Sequence, residues 1–298
     1  MKILTEASGS VASSFLIKNI QMAGWKAVAS DISLENAGSL LADDYIKLPK
    51  SDDDNLWNIL HKQITEKGVN VVIPSLDDTL SQWNKQSWLK DEGVKLILSP
   101  QKTIETFVDK WKAYEFFVSN GIPTPKTSLN RSYSLLKPRL GRGGEGIFYN
   151  SEDEIHFDMK GYLSQEKIDG VEYTVDVLCS KDGDPVYIVP RRRGGVISGK
   201  STTGELINHP KIIEWVKNIC QKIKFIGPVN FQCFENESGI YFIEINPRIA
   251  SGMALSFAGT LNWLEQTVNN IVFNKPIQLV NIRWGLRMYR SYQEHYSL

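Results

Sequence analysis

The chain has 298 residues, 42% hydrophobic and 23% charged, which is typical of a soluble globular protein of about two domains. Its formal net charge of zero excludes broad electrostatic binding to nucleic acid or to an anionic membrane. The sequence has no apolar run near the roughly 18 residues that a membrane span needs. Its three cysteines have neither disulfide nor zinc-site spacing, so we expect a cytoplasmic protein.

The first hundred residues alternate short apolar segments with helical patterns. The segments that predict strands are "KILTEA", "KAVASD", "DYIKLP", "VNVVIPS" and "VKLILSP". The helical patterns cover residues 13–24, 56–67 and 79–92. Alternation of this kind predicts a doubly wound parallel sheet, and we assign it to a first domain of residues 1–99.

Acidic residues follow two of these strands. Asp31 ends a strand where a ribose-binding acid could lie, but the first turn lacks GxGxxG, which favours an ordinary strand-end acid. Asp77 and Asp78 follow the buried strand that ends at Ser75. They could contact a substrate beyond the strand ends, or cap the next helix.

The pattern changes from Pro100 onward. A single helix is predicted from about Thr103 to Asn120, followed by short strands and turns. Further helices are predicted at about 209–224 and 260–273. The fold class is therefore α/β followed by α+β, with a second domain over residues 100–298.

The segment "LLKPRLGRGGEGI" combines a lysine with closely spaced glycines. A strand delivers Lys137, and Gly141, Gly143, Gly144 and Gly146 follow within ten residues. Glycine lets backbone N–H groups approach phosphate oxygens, and the lysine supplies positive charge. The pattern predicts a hairpin lid over a nucleotide, or a flexible surface hairpin without a ligand.

Two later strands place charged side chains on one face. Glu172, Thr174 and Asp176 alternate along "VEYTVDVL", where they could bind ribose hydroxyls or form a solvated face. In "PRRRGG", a predicted strand end, Arg191 and Arg193 point the same way. Arginine forks suit carboxylate or phosphate groups, although a solvated charge run is the alternative.

The segment "GPVNFQCFENESGIYFIEINPR" predicts a hairpin. With Glu237, Ser238 and Gly239 as its loop, Asn236 lies opposite Ile240. One face then carries only side chains with oxygen atoms: Asn230, Gln232, Glu244 and Asn246. One carboxylate among amides suits Mg²⁺, which takes few protein carboxylates plus substrate phosphates. The alternative, a polar solvated face, is weakened because asparagine is a poor strand former.

These motifs together resemble the ATP-grasp superfamily. Lys110 in "DK", "LLKPRLGRGGEGI", "QEKIDGVEYTVDV", "NFQCF" and "FIEINPR" occur in its order and spacing. The resemblance covers nearly the whole chain and is closest to the carbamoyl-phosphate-synthase-like branch, which includes small amino-acid ligases. It implies a pre-ATP-grasp domain at residues 1–99 and a two-lobed ATP-grasp domain. The lid lobe would span about 115–170 and the metal-binding lobe about 171–275.

The resemblance also implies roles for individual residues. The nucleotide would contact eight of them: Lys110, Lys137, Gly141, Gly143, Gly144, Glu166, Ile168 and Glu172. Glu166 and Ile168 would meet the adenine at a hinge, and Glu172 would meet the ribose. The metal ligands would be Gln232, Glu244 and Asn246. Lys137 and Arg248 would be catalytic, with Arg248 stabilising the transferring phosphoryl group, and Arg191 and Arg193 would bind the acceptor carboxylate.

The implied activity is that of an ATP-dependent carboxylate–amine ligase. ATP with Mg²⁺, or Mn²⁺ in its place, would phosphorylate a small amino acid or related acid, and an amine would attack the acylphosphate. The chain is short after Asn274, so carbamoyl phosphate synthesis itself is not expected. The resemblance suggests a homodimer. A catalytically silent ATP-binding regulatory or scaffold protein is the alternative.

Overall fold

The computed structural model describes residues 1–141, 143–149, 157–197, 200–291 and 293–297. These residues form three β-sheets with helices packed against them. The strands of the first sheet pair in parallel. The strands of the other two sheets pair antiparallel. The predicted change from an α/β to an α+β pattern is therefore present in the structure.

The first sheet is built from five strands near the start of the chain. They are β1 (Lys2–Thr5), β2 (Lys26–Asp31), β3 (Asp44–Lys47), β4 (Val71–Ile73) and β5 (Lys95–Leu96). Their spatial order is β3-β2-β1-β4-β5. The helices of this region are α1 (Ser13–Met22), α2 (Ala37–Leu41), α3 (Leu56–Lys67), α4 (Asp77–Trp83) and α5 (Trp88–Asp91).

Helices cover both faces of this sheet. Ile17 of α1 shares one buried apolar cluster with Ile3, whereas Leu60 of α3 shares another with Leu4. Ile3 and Leu4 are consecutive in β1, so their side chains point to opposite faces. The doubly wound arrangement is therefore confirmed.

Two details of this region bear on the predictions: one predicted helix is divided, and Asp31 has the role of an ordinary strand-end acid. The helix predicted over residues 79–92 is two helices, because the chain turns after Trp83 and the Asn84 side chain donates a hydrogen bond to the Ser99 carbonyl (3.0 Å). Asp31 accepts a hydrogen bond from the Gly9 backbone N–H (2.8 Å), as a strand-end acid does.

The helix predicted from 103 to 120 is also divided. It forms α6 (Gln101–Val108) and α7 (Lys110–Ser119), separated by the extended residue Asp109. The Asp109 carboxylate caps α7 by accepting from the Trp111 N–H at 2.9 Å, a local bond that competes with a continuous helix. It also pairs with Arg139 at 2.5 Å. The break makes Lys110 the first residue of a helix.

The second sheet is small and antiparallel. Its strands are β6 (Thr127–Ser128), β7 (Leu135–Pro138), β8 (Phe148–Tyr149) and β9 (Tyr162–Gln165). They lie in the order β6-β9-β7-β8. The glycine-rich segment connects β7 to β8, so the predicted hairpin is confirmed.

The third sheet has six strands. They are β10 (Val171–Cys179), β11 (Pro185–Ile197), β12 (Lys200–Leu206), β13 (Gly227–Asn236), β14 (Gly239–Asn246) and β15 (Arg287–Tyr289). Their order is β14-β13-β10-β11-β12-β15. The accompanying helices are α8 (Pro210–Lys222), a 3₁₀ turn (Ser251–Met253), α9 (Ala254–Gly259) and α10 (Trp263–Phe273).

The two faces of the third sheet pack against different helices. Val175 and Val177 share a buried cluster with residues of α7 and α8. Leu178 and Val189 share another with residues of α9, α10 and α1, so the first and third sheets have a common core. The arginine-rich segment lies inside the long strand β11, not at a strand end as predicted.

The loop of the β13–β14 hairpin is shorter than predicted. It has two residues, Glu237 and Ser238, so Asn236 pairs with Gly239 and not with Ile240. A bulge in β14 at Ile243 adds one residue and restores the register beyond it. The predicted pairs Gln232–Glu244 and Asn230–Asn246 are therefore confirmed. They hold because the bulge offsets the shorter loop, which counting residues back from the loop did not include.

Candidate active site

A row of polar side chains crosses one face of the third sheet. Glu244 pairs with Gln232, and Asn246 pairs with Asn230, as the sequence predicts. On the next strand, Gln232 pairs with Thr174. Asn246, Gln232 and Glu244 therefore project from two adjacent strands toward the same side.

These side chains differ in how far their oxygens are already bonded. Asn230 is 1% exposed and donates to Asp176 Oδ1 at 2.8 Å, which gives it a structural role. Asn246 Oδ1 accepts from Arg248 Nη2 at 3.3 Å. The Gln232 side chain makes no hydrogen bond to any residue that the structure describes. Gln232, Glu244 and Asn246 thus present oxygens to the site, whereas Asn230 supports the strand beneath.

This donor set has one carboxylate and two amides. Within the described residues, no three His, Cys, Asp or Glu side chains cluster closely enough to hold a metal. A cation at Glu244 would therefore take oxygens from amides and from a phosphate-bearing ligand. Mg²⁺ suits such a site, because it is commonly held by one or two carboxylates together with substrate phosphates.

Lys110 reaches Glu244 from the start of α7. Its Nζ lies 3.9 Å from Glu244 Oε1 and donates to the Gly141 carbonyl at 2.8 Å. The Lys110 backbone N–H donates to the Arg139 carbonyl at 3.0 Å. One lysine thus joins the helix, the glycine-rich loop and the predicted metal ligand.

Lys137 is the second cation facing Glu244. It is 5% exposed, and its Nζ donates to Gln165 Oε1 at 2.8 Å. Burial lowers the pKa of Lys137 from 10.5 to about 8; attraction to Glu244 opposes this shift and repulsion from Lys110 adds to it. Lys110 thus pairs with Glu244, and Lys137 is near enough for its charge to interact with both, so two cations and one carboxylate share this part of the structure.

The loop between β7 and β8 owes its path to glycine. Gly141, Gly143, Gly144 and Gly146 have φ values of 129°, 67°, 75° and 70°, which other residues rarely adopt. Residue 142 lies outside the described residues. The Gly141 carbonyl accepts the hydrogen bond from Lys110, so the start of this loop lies beside that lysine.

The predicted hinge follows β9. The Glu166 N–H donates to the Lys126 carbonyl at 2.8 Å, while its carboxylate accepts from the Lys126 N–H at 3.3 Å. Ile168 is partly exposed and makes no backbone hydrogen bond to the described residues. Its N–H is thus available to a ligand such as a purine ring.

Arg191 and Asp176 form a buried ion pair under the site. Arg191 Nε and Nη2 donate to the two oxygens of Asp176 at 2.6 and 3.1 Å, and Asp176 is completely buried. The Ser256 hydroxyl donates to the same carboxylate at 2.6 Å. The alternative of a solvated face is therefore wrong for Asp176, and the predicted acceptor residue Arg191 is already held by a carboxylate.

Arg193 and Glu172 form a second pair on the same face. Arg193 Nη1 donates to Glu172 Oε1, and Nε donates to the Ser201 hydroxyl at 2.9 Å. The residue predicted for the ribose and the residue predicted for the acceptor carboxylate are therefore neighbours.

Arg248 is bound to the first sheet region. Its Nε and Nη2 donate to the two oxygens of Asp77, each at 2.6 Å. Burial alone would lower the pKa of Arg248, but the Asp77 carboxylate raises it, so the group stays charged. Asp77 is the first residue of α4, where a carboxylate also complements the helix dipole.

The turn that carries Asp77 is fixed by a buried acid, Glu6. Its carboxylate accepts from the N–H of Ser75 (3.1 Å), the Thr79 hydroxyl (3.0 Å) and Trp83 Nε1 (2.9 Å). Burial raises the pKa of Glu6, and these donors oppose the rise. Glu6 directly follows β1, so the first sheet sets the position of Asp77.

Sequence reasoning did not single out several of these residues. Gln165, Asp176 as an ion-pair partner, and Glu6 act through contacts with distant segments. The alternation that placed Asp176 on the face of Glu172 was the available signal for one of them.

The comparisons with known proteins find a family model and several relatives that match this chain. Residues 158–292 match the family described as "ATP-grasp in the biosynthetic pathway with Ter operon". The chain is 27% identical over 237 residues to the arginine-specific large chain of carbamoyl phosphate synthase from Halalkalibacterium halodurans, covering 68% of this chain and 22% of the relative. It is 26% identical over 211 residues to the tyramine–L-glutamate ligase of Methanocaldococcus jannaschii, covering 69% and 63%.

A solved structure has the same fold. The biotin carboxylase domain of the Hydrogenobacter thermophilus 2-oxoglutarate carboxylase, in complex with MgADP, superposes with a TM-score of 0.73 at 18% identity, covering 96% of this chain and 73% of that one. The chain spans about a fifth of the length of the carbamoyl phosphate synthase large chains that it matches. Among the described helices, none has the length and apolar character required to cross a bilayer.

Proposed function

Because the chain belongs to the ATP-grasp superfamily, in its carbamoyl-phosphate-synthase-like branch, we propose that it is an ATP-dependent carboxylate–amine ligase. The observation that carries this proposal is the convergence of Lys110 and Lys137 on Glu244, under a glycine-rich loop. Two cations around one carboxylate form a site for a metal-bound polyphosphate.

The nucleotide would lie between the second sheet, in a lobe of about residues 115–170, and the third sheet, in a lobe of about 171–275. Lys110, Lys137 and the N–H groups of Gly141, Gly143 and Gly144 would contact its phosphates. The adenine would meet the backbone of Glu166 and Ile168. Glu172, oriented by Arg193, would accept hydrogen bonds from the ribose hydroxyls.

Gln232, Glu244 and Asn246 would hold Mg²⁺, with Mn²⁺ as a substitute. The metal would neutralise phosphate charge when bound. Before it binds, the two lysines balance the Glu244 carboxylate. Metal and polyphosphate would then enter together, since each supplies the charge that the other needs.

The reaction would proceed in two steps. A substrate carboxylate oxygen attacks the γ-phosphorus of ATP, the bond to the β-phosphate oxygen breaks, and ADP leaves. An amine nitrogen then attacks the acylphosphate carbon, phosphate leaves, and an amide forms with loss of the amine proton. Lys137 and Arg248 would stabilise the charge of the transferring phosphoryl group. Arg191 and Arg193 would shape the acceptor side, and the substrate would be a small amino acid or related acid.

A screen for ADP release over carboxylic acids paired with amines tests this proposal. We expect ADP and phosphate to form only with Mg²⁺ and a suitable acid. Tight binding of MgATP without ADP formation over the whole panel would instead support a catalytically silent ATP-binding protein.

A further inference from the structure

Arg290 lies on the site face of the third sheet, just after the edge strand β15. Its backbone N–H donates to the Thr202 carbonyl at 2.9 Å, which continues the β12–β15 pairing by one residue. Arg287 and Tyr289 are exposed, whereas Met288 and Arg290 are partly buried. Met288 packs against the core cluster that contains Val189 of β11. Arg290 alternates with Met288, so its side chain is on the face that also carries Arg191.

The Arg290 guanidinium is half satisfied. Its Nη2 donates to the Ser251 carbonyl in the 3₁₀ turn that follows Arg248. Its Nη1 is buried and has no hydrogen-bond partner within the described part of the chain. A buried donor without a partner is unfavourable, because it has lost its water without a replacement.

The charge of Arg290 is also uncompensated. Arg191, a cation on the same face, is neutralised by Asp176. No carboxylate of the described residues forms an ion pair with Arg290. Burial lowers the pKa of Arg290, and the positive charge of Arg191 lowers it further. The surroundings of this guanidinium thus lack an anion and hold a second cation.

We propose that Arg290 binds a carboxylate of the small-molecule substrate through its Nη1. The inference rests on the proposed ligase function and replaces Arg191 and Arg193, both held by carboxylates of the chain, as the direct anion contact. Arg191 and Arg193, with their partners Asp176 and Glu172, instead lie beneath the bound carboxylate. The substrate class is therefore one with a carboxylate that is not phosphorylated and stays anionic while bound. An amino acid whose own carboxylate does not react is an example.

A carboxylate suits this position better than an ATP phosphate. Strands β14 and β15 are the two edges of the six-stranded sheet, roughly 24 Å apart at the usual strand spacing. The phosphate-binding lysines lie beside Glu244 of β14. Arg290 approaches from the other edge and contacts the turn at Ser251, three residues after Arg248. An anion at Nη1 would therefore lie on the side of the site that carries Ser251, apart from Lys110 and Lys137.

Thermal unfolding of the full chain with malonate and acetate as probes tests the proposal, with chloride at matched ionic strength as reference. At about tenfold excess over the dissociation constant, we expect malonate or acetate to raise the melting temperature by roughly 3 °C. The shift should vanish in Arg290→Gln and persist in part in Arg290→Lys. Arg287→Gln, which removes an exposed charge from the same strand, should keep the whole shift.

Three results would overturn the assignment. The first is that neither malonate nor acetate raises the melting temperature of the unaltered chain. The second is that they raise it equally in Arg290→Gln. The third is that inorganic phosphate, but neither carboxylate, raises it in a way that depends on Arg290. MgATP in the same assay separates this inference from the proposed function. We expect MgATP to raise the melting temperature equally in the unaltered chain and in Arg290→Gln. If MgATP raises it in no variant, the result counts against the ligase proposal. The carboxylate result is then judged separately.

Discussion

Arg248 donates two hydrogen bonds to Asp77, which lies 171 positions earlier in the chain. The pair joins the end of the β13–β14 hairpin to the start of α4, and both side chains are mostly buried, at 15% and 14% exposed. The guanidinium proposed to stabilise the transferring phosphoryl group is thus oriented by the first sheet region. The first hundred residues contribute to the site through this contact.

We predict that Asp77→Asn lowers the rate of ADP formation about tenfold, because Arg248 loses the bidentate partner that fixes its orientation. The KM for MgATP should change little, since neither lysine contacts Asp77. Steady-state ADP release at varied MgATP measures both quantities.

Asp78→Asn is the matched control for that variant. Asp78 lies in the same first turn of α4 but is exposed. Its substitution therefore removes the same helix-dipole contribution and leaves the partners of Arg248 unchanged. Equal rates in the two variants would show that the Asp77–Arg248 pair has no part in turnover.

Glu244→Gln tests the metal assignment. We expect ADP formation to fall at least about a hundredfold, because the only carboxylate of the proposed ligand set is removed. Circular dichroism should show an unchanged fold. Glu237→Gln, an exposed change in the loop of the same hairpin, should retain full activity. Normal turnover in Glu244→Gln would exclude Glu244 as a metal ligand.

Lys137 predicts a pH dependence for MgATP capture. Its pKa is lowered to about 8, so the free protein loses this positive charge as the pH rises through that value. We therefore expect kcat/KM for MgATP to be constant below pH 8 and to fall by up to about tenfold per pH unit above it.

The variant Lys137→Arg separates this effect from other titrations, because arginine stays charged throughout the range. Its kcat/KM should lack the decline above pH 8, whatever its absolute value. A decline of the same midpoint in Lys137→Arg would assign the titration to another group.

The sequence predicts those parts of the molecule that depend on local periodicity. Strand–helix alternation identifies the parallel sheet, and residue spacing brings Glu244 and Gln232 together. The register survived an incorrect loop length only because the bulge at Ile243 compensated for it. Local pattern carries no information about such a bulge, since it depends on how both strands pack.

The remaining features depend on long-range pairing. The sequence offers Asp77 as a substrate contact or a helix cap and Arg248 as a phosphoryl contact, but only the fold shows that the two residues pair. The break at Asp109 reflects its bonds to Trp111 and to the distant Arg139, which override a helical pattern. Arg290 was missed for the same reason, because its isolation from carboxylates is a property of the folded chain.

Glu6 offers a test of the scaffold beneath Asp77. Glu6→Ala would leave the Ser75 N–H, the Thr79 hydroxyl and Trp83 Nε1 without their shared acceptor, so we expect a loss of about 3 kcal/mol in the free energy of unfolding. Urea denaturation measures this loss. Glu35→Ala, an exposed acid of the same region, should change the stability by less than about 0.5 kcal/mol. Equal stabilities for the two variants would contradict the structural role of Glu6.

The most direct test of the ligase proposal is capture of the activated acid. The full chain is incubated with MgATP, a panel of small amino acids and related acids, and hydroxylamine as a general amine. The proposal predicts a hydroxamate together with ADP and phosphate in equal amounts, with all three abolished by removal of Mg²⁺ or by Glu244→Ala. Saturable MgATP binding without ADP or hydroxamate from any acid of the panel would contradict it.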